Sequence, residues 1–150
     1  MGEFKVKEIN DLLTDDIFHL VQESKIEGFH FLDRLTNDYK GGTNTFSEPG
    51  EFLVGAYNKY GAQVAVGGLN IDPFSDCQKI GRLRRFYVGK DYRRNGIGTV
   101  LLKDIVSKAT CYYDVLVLHT DTIKADKFYT AFGFVKDSKY PNTTHFLNLQ

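Results

Sequence analysis

A chain of 150 residues, 42% hydrophobic and 25% charged, has the make-up of an ordinary globular domain that can bury about two thirds of its unfolded surface. Its 19 basic residues balance 19 acidic ones, which argues against nucleic acid or a membrane surface as the main partner and leaves any electrostatic attraction to be local. Cys77 and Cys111 stand far apart, with no companion Cys or His at ligand spacing, so they read as free thiols in a reducing compartment and no metal site is expected. The stretch from Met1 to Val6 has no apolar signal core, and Val6 stands where a myristoylation signal requires Ser or Thr. One cytoplasmic domain spanning 1–150 is the expectation.

Phe4, Val6 and Ile9 alternate with polar residues and predict a short first strand near a sheet edge. Thr14, Asp15 and Asp16 offer an N-cap and favourable charges for a helix that carries Ile17, Leu20 and Val21 on one face. Helical spacing resumes through Phe29, Leu32, Leu35 and Tyr39, with Gly28 as the break between two helices. Residues 40–50 read as a loop in which Phe46 needs cover. Runs 51–57 and 63–71, joined by Asn58-Lys59-Tyr60-Gly61, predict an antiparallel hairpin, and Gly67-Gly68 suggests a bulge or a close approach by another backbone. Run 82–88 predicts a fourth strand and a helix follows to about Ala109. Val115 to Leu118, apolar throughout, predicts a fifth strand covered on both faces and parallel to the fourth. A last helix over 124–132 stops at Gly133, and 143–149 supplies one more strand.

Between the fourth strand and its helix lies Arg93-Arg94-Asn95-Gly96-Ile97-Gly98-Thr99. Glycines at such a junction let backbone approach a ligand, and the first N–H groups of a helix have no internal partner, so an anion, phosphate above all, suits the place. Two arginines and the Thr99 hydroxyl converge on it. The spacing fits neither the P-loop nor the dinucleotide fingerprint, so a different phosphate ligand is implied.

The run Val88-x-x-x-Tyr92-Arg93-Arg94-Asn95-Gly96-Ile97-Gly98 resembles the pyrophosphate loop of the GNAT acyltransferases, and Ala125-x-x-Phe128-Tyr129-x-x-x-Gly133-Phe134 resembles that family's second signature. The resemblance implies an α/β (α+β) fold: a mostly antiparallel sheet of six to seven strands with a splayed parallel pair, the fourth and fifth, and about four helices. It implies acetyl-CoA as cosubstrate and a small-molecule or peptide amine as acceptor, in a monomer or homodimer. By the same resemblance Phe86, Tyr87, Val88, Arg93, Arg94, Asn95, Gly96, Ile97, Gly98, Thr99, Thr122 and Phe128 contact the cosubstrate. Thr122 departs from the family's usual Asn.

Thioester aminolysis needs a neutral amine, an N–H donor for the carbonyl oxygen and a donor for the departing thiolate. The resemblance gives the second task to the Val88 N–H and the third to Tyr129. A tyrosine near its ordinary pKa of about 10 is a weaker acid than a thiol near 8.5, so a hydrogen bond to sulfur suits Tyr129 better than full proton transfer. No base stands on the fourth strand. His119, Asp121, Glu27, Asp72 or an ordered water are the candidates. Period-two alternation sends Arg82 and Arg84 to the face of Phe86, and Arg85 to the face of Leu83 and Tyr87. Whichever is buried is expected to pair with a carboxylate such as Glu51 or Asp72, or else Arg84 or Arg85 faces an acceptor cleft walled by Glu27, Phe29, Phe31 and the residues up to Leu35. A non-catalytic acyl-CoA-binding module, or a peptide adaptor using Phe29 and Phe31, are the other classes. Tyr129 within its motif weighs against the first and the phosphate loop against the second.

Overall fold

The computed structural model describes residues 4–149; Met1 to Glu3, part of the amino-terminal stretch read above, lie outside it. In chain order the elements are β1 (Phe4–Ile9), a 3₁₀ turn (Leu12–Thr14), α1 (Phe18–Ile26), α2 (Phe31–Gly41), β2 (Phe52–Asn58), β3 (Gln63–Ile71) and β4 (Ile80–Val88). There follow a second 3₁₀ turn (Lys90–Tyr92), α3 (Ile97–Ala109), β5 (Val115–Leu118), α4 (Ile123–Phe132), β6 (Val135–Lys136) and β7 (His145–Asn148). The strands form one seven-stranded sheet in the order β1-β2-β3-β4-β5-β7-β6. Every neighbouring pair is antiparallel except β4–β5, which is parallel. This is the GNAT fold expected above. The two-residue β6, on which sequence pattern is silent, exists because β7 offers it an edge.

Each face of the sheet has its own core. On one, α3 and α4 cover Val54, Ala65, Leu69, Leu83 and Leu116; on the other, α1 and α2 cover Leu53, Val66 and Tyr87, with Phe46 from the 42–51 loop tucked among them. Gly28, at φ +92, breaks α1 from α2 as expected. The helix start does not follow expectation. α1 begins at Phe18 behind Ile17, with no side-chain cap, because the polar residues before it are committed elsewhere: Asp11 caps the 3₁₀ turn, Thr14 Oγ1 donates to the Asp11 carbonyl and Asp15 accepts from the Tyr57 hydroxyl.

The glycine pair of β3 marks a bulge, but the extra residue sits on the opposite strand. Val66 faces Tyr87 and Gly68 faces Arg84, so Gly67 alone opposes both Arg85 and Phe86. Arg85 takes the left-handed conformation, φ +57, that accommodates it. The bulge resets alternation along β4. Arg84, opposite Gly68, shares the α1–α2 face with Arg82, while Phe86 turns to the α3–α4 face and Tyr87 back to α1–α2. The expected grouping of Arg84 with Phe86 and of Leu83 with Tyr87 is therefore wrong, since period two does not survive an inserted residue. The expected pairing with Asp72 falls to Arg82, Nε to Oδ1 at 2.8 Å, both side chains almost fully buried. Glu51 instead accepts the Ile71 N–H.

Both glycines make room for side chains, Ile105 and Phe86 at Gly67 and Phe46 and Leu53 at Gly68, rather than for another backbone. A Cβ on Gly67 would stand 2.9 Å from the Phe86 ring, and one on Gly68 2.6 Å from the Phe46 ring and 2.9 Å from Leu53. Gly68→Ala should therefore destabilise the fold by about 1–3 kcal/mol through overpacking, outweighing the few tenths that a lost glycine returns. Urea unfolding checks this; a midpoint equal to or above the parent's would show that Phe46 does not depend on the gap.

Candidate active site

The β4–β5 ladder stops at the pair Arg82–Val117, whereas β4 continues to Val88. Beyond that point a seam opens. Gly89 donates to the Val64 carbonyl at 2.8 Å, which makes Ala65–Val88 a non-hydrogen-bonded pair, so the Val88 N–H and carbonyl point away from β3 and into the seam. The carbonyl accepts Arg93 Nε at 2.9 Å, which leaves the N–H facing the gap.

At the mouth of the seam stands the start of α3. Gly96, at φ +88, precedes the helix and brings no capping side chain. The first intrahelical bond runs from the Val100 N–H to the Gly96 carbonyl, so the N–H groups of Ile97, Gly98 and Thr99 have neither ladder nor cap. A Cβ on Gly98 would lie 3.4 Å from the Phe128 ring and 3.5 Å from Val88 Cγ2, which puts this turn directly against the seam. Arg94, left-handed at φ +68, together with Asn95 and Thr99, is exposed around it.

Phe128 and Tyr129 of α4 form the wall. The Phe86 ring lies 5.8 Å from Phe128 and 6.1 Å from Tyr129, which also packs against Phe134 and His145. Tyr129 is 7% exposed, its hydroxyl makes no hydrogen bond among the described residues, and burial pushes its pKa up from the ordinary value. Thr122 Oγ1 accepts the Ala125 N–H at 3.1 Å, so the threonine that replaces the expected Asn still caps the helix. His145, unremarked in the sequence, is buried and bonds Asp126 at 2.7 Å and Thr144 at 2.7 Å, tying α4 to β7 behind Tyr129.

Most of the remaining predicted residues turn to the α1–α2 face. The Tyr87 ring turns to α1–α2, where its hydroxyl meets Glu23 at 2.7 Å and Glu27 at 2.5 Å, so only its backbone belongs to the seam. The Arg93 guanidinium grips Glu27 through two bonds of 2.9 and 2.7 Å and thus ties the loop to the end of α1 instead of reaching toward α3. That grip, helped by the Tyr87 bond and opposed by burial, lowers the Glu27 pKa to about 2, which removes Glu27 from the candidate bases. Asp72 is bound to Arg82, and His119 pairs with Asp121 at 3.0 Å in an exposed position past β5. Phe29 and Phe31 stack at 5.7 Å, with Phe31 also against Tyr87. Arg85 lies 3.5 Å from Asp38 of α2, a partner overlooked in the sequence although Arg34 and Asp38 stand one helical turn apart.

Residues 48–136 match the model of the acetyltransferase (GNAT) domain. The chain belongs to the GNAT acetyltransferase family, whose cosubstrate is acetyl-CoA. It is similar to a solved structure of a proposed acetyltransferase from Exiguobacterium sp. 255-15, with 32% identity over 97% of this chain and 93% of that one and a TM-score of 0.87. A GNAT family acetyltransferase from Staphylococcus aureus Mu50 shares 21% identity over 99% and 100% of the chains, TM-score 0.74. A GNAT family N-acetyltransferase from Escherichia coli, solved in complex with CoA, shares 13% identity over 100% and 83%, TM-score 0.72. These last two likenesses are of fold alone. No curated protein matches the chain in sequence. Among the described residues no helix is long and apolar enough to cross a membrane.

The Glu27 clamp yields a pH signature. Its carboxyl falls from the ordinary 4.5 to about 2 on folding, so its stabilising contribution is complete above the unfolded value and fades as pH drops through the folded one. The stability gap between the parent and Glu27→Gln should be widest at neutral pH and should narrow between about pH 4.5 and about pH 2. Denaturant titrations across that window check it; a constant gap would mean that the ion pair does not set the Glu27 pKa.

Proposed function

We propose that the protein transfers the acetyl group of acetyl-CoA to a primary amine of a small molecule or peptide by direct attack of the amine on the thioester within a ternary complex. The observation that supports this is the seam, where the Val88 N–H points away from β3 and the uncapped helix start at 97–99 packs beside Val88, with Tyr129 stacked on Phe86 and Phe128 next to it. The residues present suit this cosubstrate: uncapped amides take a pyrophosphate, and the missing Cβ at Gly98 leaves the backbone bare where the chain must run on toward Val88. When bound, acetyl-CoA supplies the activated acetyl thioester.

On this reading the N–H groups of Ile97, Gly98 and Thr99 hold the pyrophosphate, with Arg94 and Asn95 at its edge. Phe86 and Phe128 exclude water from the thioester. The Val88 N–H donates to the thioester carbonyl oxygen, where negative charge develops as the amine attacks. Tyr129 donates a hydrogen bond to the leaving sulfur. Its raised pKa weighs against complete proton loss, because even an ordinary tyrosine is a weaker acid than a thiol by about 2 kcal/mol. A non-catalytic acyl-CoA-binding module would share the amides but would have no use for the Tyr129 hydroxyl.

Two variants test this. Gly98→Val places a branched side chain against Phe128 and Val88 and should abolish acetyl-CoA binding in calorimetry while the protein stays folded; parental affinity would contradict the placement. Tyr129→Phe should lower kcat by about 10²–10⁴-fold with little change in KM for acetyl-CoA, because the interaction forms only as the sulfur leaves. Turnover close to the parent's, with chemistry rate-limiting, would remove Tyr129 from the mechanism and favour the binding module.

A further inference from the structure

Consecutive residues of a regular strand face opposite sides of a sheet, yet Arg84 and Arg85 both feel Arg34 and Asp38 of α2. The β4 bulge is the reason. Arg84 keeps the α1–α2 face it shares with Arg82, and the left-handed Arg85, at φ +57, is swung toward the same helix. A left-handed arginine is strained, and such strain persists only where the surroundings hold it.

The charges there do not balance. Asp72 is taken by Arg82 at 2.8 Å, which leaves Asp38 as the carboxylate, among the described residues, that bears on both Arg84 and Arg85. It stands 3.5 Å from Arg85, whose side chain is 11% exposed. Arg84 is half-buried and has no hydrogen bond or ion pair among the described residues. Burial first, then neighbouring arginines, lowers the pKa of both, that of Arg85 to about 10. Both remain charged at neutral pH in a setting that disfavours the charge, so an incoming anion relieves the cluster.

We infer that Arg84 and Arg85, brought to one side of β4 by the bulge, dock an anionic group carried by the acceptor amine. The identity of the carrier as an amine rests on the acetyl-transfer proposal; the anion site stands on the arginines alone. A strand advances about 3.3 Å per residue, so Arg85 lies about 10 Å along β4 from Val88, a span that a small amino acid or a peptide terminus bridges once the guanidinium reaches back. A planar carboxylate suits a guanidinium fork, and a phosphate presents the same oxygens.

Matched amines that differ at the anion test the inference. Pooled amino acids, the corresponding amino-acid amides, aminoalkyl phosphonates and spermidine are each supplied with acetyl-CoA at low salt, and thiol release is followed. The parent should favour carboxylates over amides by at least about tenfold in kcat/KM, the scale of a charge-assisted hydrogen bond. In Arg84→Gln or Arg85→Gln that ratio should collapse toward unity, and Arg84→Lys should restore part of it; thermal melts confirm folding. Independently of turnover, the side-chain Nε–H signals of Arg84 and Arg85 in heteronuclear NMR spectra should move with the pooled amino acids and not with the amides. Phosphonates outperforming carboxylates would keep the site and assign it a phosphate-bearing amine. Equal use of acids and amides, preference for spermidine, or selectivity intact in both glutamine variants overturns the inference and leaves acetyl transfer standing. Moving arginine signals with no amine acetylated overturns acetyl transfer and keeps the anion site, whereas still signals and no turnover overturn both.

Discussion

A parallel strand pair that stops pairing before its strands end leaves backbone groups with no ladder partner, and such groups are tolerated only where a ligand, water or side chain can meet them. In this chain β4 and β5 part after Arg82 and Val117. The rest of the molecule is arranged around that gap. α3 starts beside it with free amides, α4 packs Phe128 near Gly98 on one face of the sheet, and the bulge turns Arg84 and Arg85 to the opposite, α1–α2 face. The Val88 N–H stands in the middle with its own carbonyl held by Arg93.

The bulge at Arg85 does two jobs that a regular strand cannot combine. It lets Phe86 pack against α4 while Tyr87, the next residue, reaches across to Glu23 and Glu27 of α1. Because Tyr87 has one proton for two carboxylates, and Glu23 also accepts the Lys90 N–H at 2.8 Å, the contact works as a shared tether and not as two full hydrogen bonds. With the Arg93–Glu27 pair it holds α1 to the turn that follows β4. Side chains expected at the cosubstrate, Arg93 and Tyr87, thus brace the loop that leads into α3.

Sequence pattern shows the frame and the two motifs plainly. Apolar runs and glycines placed β2 to β5 and α3 to α4 within a residue or two, because strongly periodic segments flanked by turn residues have few alternatives. It misassigned what tertiary competition decides. Asp15 bonds Tyr57 instead of capping α1, and Arg93 turns to Glu27, since a polar side chain has several nearby uses and the sequence does not rank them. The Gly67-Gly68 pair announced a bulge without saying which strand carries it, and that one displacement reversed the faces of Phe86 and Tyr87. Asp38, His145 and the short β6 gave no signal that separates them from surface residues.

The central claim is that the thioester lies in the β4–β5 seam, its carbonyl at Val88 and its pyrophosphate at the start of α3. Backbone amide NMR shifts on titration with CoA and then with acetyl-CoA test it most directly. The account predicts that Ile97, Gly98 and Thr99 respond to both ligands, and that the Val88 amide responds further only to acetyl-CoA, which alone brings the carbonyl. Responses confined to α1 and α2, or a Val88 amide indifferent to the acetyl group, would contradict it.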